Sequence, residues 1–375
     1  MATFKDLGVH NDYIQGLKEL GIKNPTEIQE KAIPQLIENK TDFIGLAQTG
    51  TGKTAAYGIP LLQQIDPSKP VIQGLILSPT RELVLQIKKQ LFKFTKYVDD
   101  QIFAEGVYGG EKIEKQIKAL ERTTHVVVAT PGRLIDLIER GTIDLSQIKI
   151  IILDEADEML SMGFKLDLNR ILKYTNGKRN TWLFSATMPE EITRIVKTYM
   201  DPSAIKVEVN KESQVNSNIT HLFIKTVLKE KNDTIISLLK SKSSDRGIIF
   251  CRTKAGVRNL TELLKEEGFS VEGLEGDMQQ RDREKVMRMF KKGSIDVLIS
   301  TDVSARGIDV NNLGFVIHHQ LPEQTEYYTH RSGRTARAGK AGYSIALVIP
   351  SDIYRIKELQ NELAIYFNET SLSRK

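Results

Sequence analysis

The sequence lacks the marks of a secreted, membrane-spanning or metal-built chain. It has one cysteine, Cys251, so no disulfide can form within it, and the expectation is a reducing, cytoplasmic setting. Its six histidines show no metal-ligand spacing with one another or with Cys251, which argues against a structural zinc site. No apolar run reaches the roughly 20 residues of a membrane span. Residues 1–6 show neither a long apolar core nor a cleavage signal, so no membrane partner is expected. Low-complexity tracts and short-period repeats are absent as well. Neither sign of charge dominates: a net charge of +5 over 375 residues permits a nucleic-acid partner without arguing for one. What is present, 40% hydrophobic and 27% charged residues, is ordinary for a globular protein, and the length points to two domains or more.

One stretch stands apart from this background. Residues 42–46 read as a short buried strand, residues 55–57 can start a helix, and between them lies Ala47-Gln48-Thr49-Gly50-Thr51-Gly52-Lys53-Thr54. A glycine-rich turn from strand to helix points backbone N–H groups into one concavity at the positive end of the helix dipole, which favours phosphate. Lys53 supplies a cation for the outer phosphates, and the Thr54 hydroxyl can ligate Mg²⁺. The strict pattern has glycine at position 47, where this chain has alanine, so the tight turn is expected at Gly50 and Gly52. The bland alternative is a structural turn that happens to precede a lysine.

Continuous apolar strands alternate with helices along the rest of the chain. Strands are readable at residues 74–78, 126–129, 148–153 and 182–184, with helices at 11–20, 26–37, 82–97 and from 130 to 140. Such a pattern implies a parallel sheet covered on both faces. Residues 207–217 are polar and aperiodic and read as a linker. Beyond them the alternation restarts, with strands at 222–227, 247–251, 270–274, 297–300, 315–319 and 344–349, helices at 254–267 and 281–290, a closing helix at 351–363 and a frayed tail at 368–375. The expected architecture is α/β, with two tandem mostly parallel sheets flanked by helices, residues 1–206 and 218–367.

Asp154-Glu155 follow the apolar strand at 148–153 directly. A carboxylate at a strand end beside a phosphate loop can hold Mg²⁺, and a second one can orient and deprotonate the attacking water. Asp154 takes the first role in this reading and Glu155 the second; alone, the pair could equally begin the next helix, where acids suit the dipole. The first unit offers no cation for charge developing on the γ-phosphate. The second offers the run His330-Arg331-Ser332-Gly333-Arg334-Thr335-Ala336-Arg337, with Arg334 and Arg337 three apart, as on one helical face. Arginine's planar donors suit phosphate.

Taken together, these residues resemble the DEAD-box RNA helicases of helicase superfamily 2 over nearly the whole chain. Besides the phosphate loop, the literal Asp154-Glu155-Ala156-Asp157 is present, with Ser185-Ala186-Thr187, Pro79-Thr80-Arg81-Glu82-Leu83, Gly109-Gly110, Thr130-Pro131-Gly132-Arg133, Thr301-Asp302, Arg306-Gly307-Ile308-Asp309 and the run at 330–337. Pro25-Thr26-Glu27-Ile28-Gln29 looks like the family's Q motif, with Phe4 as its isolated upstream aromatic.

The resemblance implies two RecA-like domains, ATP and Mg²⁺ as cofactors, and RNA as a largely sequence-independent partner. It implies that Gln29 reads the adenine edge, that Phe4 and Ile22 lie at the base, and that Gly307 and Asp309 lie at the nucleotide, with Asp309 on the ribose. Asp157, Ser185, Thr187 and His330 would couple the ATP site to domain closure. RNA contacts would fall on Thr80, Arg81, Gly110, Thr130 and Arg133 in the first unit and on Arg252, Gln280, Arg283 and Thr301 in the second. These types suit phosphates and 2′-hydroxyls more than base edges.

The sequence departs from the family's pattern in places. Ile22 stands where an aromatic is usual, Glu275 where histidine is common, Ala336 where glycine is commoner, and Ser332 where an apolar residue is usual. The expected activity is ATP-driven local, non-processive duplex unwinding or RNP remodelling by a monomer. An ATP-gated RNA clamp without unwinding would use the same motifs and stays open; a superfamily 2 DNA translocase is disfavoured by the Q motif and Asp154-Glu155-Ala156-Asp157, and a nucleotide-binding module without catalysis by the presence of Lys53, Glu155, Arg334 and Arg337. Protein partners, such as ribosome-assembly or RNA-decay proteins, are not named by the sequence.

Overall fold

The structure is a computed structural model that describes all residues except 1, 40, 49, 176, 178, 210–217, 242–244, 306–312, 337–340 and 372–375. Thr49, Gly307, Asp309, Arg337 and most of the expected linker therefore lie outside the described residues. The chain divides into two compact units, residues 1–210 and 211–375.

Unit 1 contains strands β1 Phe43–Leu46, β2 Gly74–Leu77, β3 Ala104–Val107, β4 Val126–Ala129, β5 Ile150–Asp154, β6 Asn180–Ser185 and β7 Ile205–Glu208. They form one parallel sheet in the order β3-β4-β2-β5-β6-β1-β7. Unit 2 repeats the plan with β8 Ile219–Lys225, β9 Gly247–Phe250, β10 Val271–Leu274, β11 Val297–Ser300, β12 Phe315–His318, β13 Gly342–Val348 and β14 Phe367–Glu369, in the order β10-β11-β9-β12-β13-β8-β14.

The apolar runs are continuous because both faces of each sheet are covered. Along β5, Ile150 and Ile152 join one core with Phe43, Ile76, Trp182 and Phe184, while Ile151 and Leu153 join the other with Ile44, Leu75, Val127 and Leu183. Alternate side chains on a pleated strand point to opposite faces, so one apolar run feeds two cores. Glycine appears where the packing leaves no room. A Cβ on Gly247 would run into the Phe315 ring on the neighbouring strand β12. Gly247→Ala is expected to cost unit 2 about 3 kcal/mol, read as a lower urea midpoint; an unchanged midpoint would show that the ring can move aside.

Three of the four edge strands differ from the sequence reading. Residues 207–208, expected in the linker, complete β7 and pair with β1. Asn368 and Glu369, expected in the tail, belong to β14 on β8. Strand β3 was not expected at all. Each has few apolar residues (Ile205 and Val207 in β7, Phe367 in β14), because an edge strand buries one face and gives little run to read. The helix after the phosphate loop starts at Lys53, two residues earlier than expected. The helix that enters the arginine run, Thr325–Ser332, ends before Arg334, so Arg334 does not lie on a helical face as expected. Instead Thr335 bridges to Leu313 and Ala336 takes φ +58°, which turns the chain out of the helix. No helix among the described residues is long and apolar enough to cross a membrane.

Candidate functional site

The first constellation forms at the carboxyl ends of three adjacent strands, β5, β6 and β1, where parallel sheets place their ligands. Strand β1 delivers the loop at 47–52. Gly50 and Gly52 take φ +84° and +92°, as the expected tight turn requires, whereas Ala47 is not left-handed and its amide donates to the Ser185 carbonyl at 2.9 Å. The alanine is therefore compatible with the loop.

The loop is held from outside by the segment resembling the Q motif. Thr26 Oγ1 donates to the Thr51 carbonyl (2.7 Å), and Gln29 Nε2 donates to the Gly52 carbonyl (3.0 Å). Thr51 Oγ1 donates to the Gln48 carbonyl (2.7 Å). Engaging these carbonyls favours an inward turn of the loop amides, the arrangement an anion needs. Gln29 also accepts from the Thr26 amide (2.9 Å) and is almost fully buried. Its amide is thus engaged with the loop, and each polar atom keeps one further bonding position. A Cβ on Gly52 would collide with the Gln29 amide nitrogen. Gly52→Ala is expected to weaken ATP binding about tenfold, from about 1–2 kcal/mol of left-handed strain, measured by titrating a fluorescent ATP analogue. Undiminished affinity would show that the loop tolerates the change.

Lys53 begins the helix Lys53–Gln63, and Asp154 ends β5. Both are buried, and Lys53 Nζ and Asp154 Oδ1 have no hydrogen-bond partner among the described residues. Such atoms are costly unless something else meets them. The other Asp154 oxygen accepts from Tyr57 Oη at 2.9 Å. Burial raises the Asp154 pKa above the ordinary carboxylate range, with the Lys53 charge and the Tyr57 hydroxyl opposing it. Burial also lifts the Tyr57 hydroxyl well above its usual value, and the Asp154 charge adds to this. A divalent cation fits here. Mg²⁺ takes one or two protein oxygens and completes its shell with phosphate and water, so Asp154 with Thr54 is a sufficient donor set. Among the described residues no cluster of three or more His, Cys, Asp or Glu offers a self-contained metal cage.

Glu155 follows with φ +51° and ψ +53° and caps the helix Ala156–Ser161. A left-handed non-glycine residue stores strain, commonly at working sites. Asp157 Oδ2 accepts from both the amide and the hydroxyl of Thr187 (2.9 Å each), and the Asp157 amide donates to Ser185 Oγ (3.3 Å). The end of β6 is thereby tied to the helix after β5. Phe4 is 3% exposed in the core, and Ile22, partly buried, packs on the same cluster.

A second constellation lies at the carboxyl ends of β2, β3 and β4, the other half of the same sheet edge. Thr80 caps the helix Arg81–Phe94, and Thr130 precedes the helix Pro131–Glu139. The Arg81 guanidinium lies 4.6 Å from the Tyr108 ring centroid, and Arg133 Nη1 donates to the Glu111 carbonyl (3.1 Å), just beyond left-handed Gly110. In unit 2, Arg252, Gln280 and Thr301 follow the adjacent strands β9, β10 and β11. The Arg252 amide donates to Gln320 Oε1 (3.1 Å), Arg283 donates to the Ser304 carbonyl (2.5 Å), and Thr301 donates to Ser304 Oγ (3.0 Å). His330 lies within the helix Thr325–Ser332, and its neighbour Arg331 pairs with both oxygens of Asp302 (2.5 and 2.6 Å).

Two side chains escaped the sequence reading. Tyr57 sits four residues after Lys53, a spacing that puts both on one helix face. Tyr108 sits directly before Gly109-Gly110. Asp302 was read only as part of the Thr301-Asp302 motif; like Asp154 it is an acid just beyond an apolar strand, and its pairing with Arg331 was not foreseen.

The comparisons with known proteins agree with this geometry. Residues 26–195 match the DEAD/DEAH box helicase family model, and residues 230–339 match the helicase conserved C-terminal domain. The chain is 42% identical to the DEAD-box ATP-dependent RNA helicase CshA of Geobacillus kaustophilus, over 96% of this chain and 76% of that protein. It is 41% identical to CshA of Bacillus subtilis, over 96% of this chain and 72% of that protein. Among solved structures, S. cerevisiae Dbp5 bound to RNA and ADP BeF3 superposes with TM-score 0.90 at 30% identity, covering 100% of this chain and 96% of that one. A DEAD box protein from Methanococcus jannaschii matches with TM-score 0.56 at 37% identity, covering 98% and 99%. With these matches, the sheets and the motifs they carry, the chain belongs to the DEAD-box ATP-dependent RNA helicases.

Proposed function

We propose that this chain hydrolyses ATP in response to RNA and uses the cycle for local, non-processive strand separation. The observation that carries the ATP half is the pair of buried atoms without a hydrogen-bond partner among the described residues, Lys53 Nζ and Asp154 Oδ1, beside left-handed Gly50 and Gly52. Lys53 meets the outer phosphates. Asp154 and Thr54 hold Mg²⁺, which when bound neutralises phosphate charge as it develops. Glu155 positions and deprotonates the attacking water. Gln29 presents its remaining donor and acceptor to the adenine edge, which selects ATP over GTP. Arg334 and Arg337 supply positive charge to the γ-phosphate.

The RNA half rests on Thr80, Arg81, Gly110, Thr130 and Arg133, with Arg252, Gln280, Arg283 and Thr301 from unit 2. Hydroxyls, arginines and loop amides suit a sugar-phosphate backbone, so binding is sequence-independent. Asp157, Ser185 and Thr187 link the two halves, because Asp157 follows the hydrolytic acids and Thr187 follows β6. A grip on one backbone strand that a duplex cannot share separates the strands there, and hydrolysis releases the product.

A strand-displacement assay on a short RNA duplex tests this reading. ATP is expected to drive displacement, with recycling lost when a non-hydrolysable analogue replaces it. RNA-stimulated hydrolysis with no displacement of any duplex would assign the chain to the ATP-gated clamps instead.

A further inference from the structure

Unit 2 contains a buried polar chain that none of these roles uses. Helix Thr325–Ser332 turns Tyr328, Arg331 and Ser332, at i, i+3 and i+4, toward the sheet. Facing them are His318 on β12, Ser344 on β13 and His221 on β8, three adjacent strands with Ser344 and His221 in register. None of the six is more than 5% exposed. Arg331 Nη1 lies 3.4 Å from His318 Nδ1, and His318 Nε2 lies 3.0 Å from Ser344 Oγ. Ser344 Oγ is also 2.8 Å from Ser332 Oγ and 3.0 Å from Tyr328 Oη, which is 2.7 Å from His221 Nδ1.

Arginine can only donate, so His318 Nδ1 accepts, its Nε2 carries the hydrogen given to Ser344, and the ring is neutral. Ser344 then accepts from one of Ser332 and Tyr328 and donates to the other, and the Tyr328–His221 hydrogen runs in the matching direction, so every member is satisfied in either arrangement. Burial holds His221 at about 4, and burial together with the Arg331 charge holds His318 well below its ordinary value. The His318 ring also stacks on Tyr328, with centroids 4.7 Å apart.

The far end of the helix leads directly to Arg334. The Arg331 carbonyl accepts the Arg334 amide and the Ser332 carbonyl accepts the Thr335 amide, each at 3.1 Å. Apolar packing is non-directional and would let a short helix roll on the sheet, whereas hydrogen bonds prescribe angles. We propose that the His318–Ser344–Tyr328–Ser332 relay sets the roll of helix Thr325–Ser332 and so places the Arg334 guanidinium for hydrolysis. These four are positioning residues, and the proposal rests on the role of Arg334 given above.

The test is RNA-stimulated ATP hydrolysis by the full chain carrying Ser344→Ala, Tyr328→Phe, or both, with thermal unfolding in parallel. Each single change is expected to lower kcat on the order of tenfold to a hundredfold, the scale of a misplaced catalytic group. KM for ATP should stay unchanged, because the triphosphate sits on unit 1. The double variant should lose no more than the worse single one, because both cut the same chain. A lowered unfolding midpoint with wild-type kcat per folded molecule would overturn the proposal, as would additive losses in kcat. Tyr328→Phe keeps the ring and decides the matter if Ser344→Ala does not fold. Wild-type kcat in the variants, with an active unsubstituted chain, removes only the relay. An unsubstituted chain without RNA-stimulated turnover removes the functional reading beneath it and the relay with it.

Discussion

Glu155→Gln is expected to lower RNA-stimulated ATP turnover by about 10²–10⁴-fold, the range of a lost general base, while ATP still binds. The substitution is nearly isosteric, so the left-handed backbone at φ +51° and the helix it caps should remain. Lys53, Thr54 and Asp154, which hold the triphosphate and its cation in this account, are untouched. The variant should therefore accumulate with ATP and RNA bound, seen as slow RNA release in an ATP-dependent filter or fluorescence assay. Turnover near wild type would mean that Glu155 is not the base.

Removing the arginines should have an effect of similar or greater size. Arg334→Ala and Arg337→Ala are each expected to slow hydrolysis by as much as about 10³–10⁵-fold, the value of an arginine supplied to a γ-phosphate. Affinity for an ATP analogue should change little, because unit 1 carries the loop, Lys53 and Asp154. The Arg334 backbone is tied to Arg331, whose guanidinium is doubly bonded to Asp302. Arg331 therefore anchors the segment, and Arg334 is its working end in the proposed mechanism. An equal loss of binding and hydrolysis would place the two arginines in another role.

Much of this was legible in the sequence because the central strands are apolar on both faces and end in chemistry. Residues 148–153 followed by Asp154-Glu155, and residues 42–46 followed by the glycine loop, each announce a strand and what it presents. Three of the four edge strands, β3, β7 and β14, were hidden because pairing through one edge and burying one face leaves short, mixed runs. Gln29 was expected at the nucleotide site, but its engagement with the Gly52 carbonyl was not, because it depends on how the helix Glu27–Glu38 packs beside the loop. Tyr57 required the helix to begin at Lys53. The buried chain in unit 2 was out of reach of any local pattern. It needs β12, β13 and β8 side by side, and strand order does not follow chain order. Arg334 was misplaced onto a helical face because the Leu313–Thr335 bridge that ends the helix is a long-range contact.

The most direct test of the central claim is steady-state ATP hydrolysis with and without single-stranded RNA, with DNA of the same sequence as the control. The account predicts strong stimulation by RNA and little by DNA. Equal stimulation by DNA, or ATP binding with no stimulation by either, would contradict it.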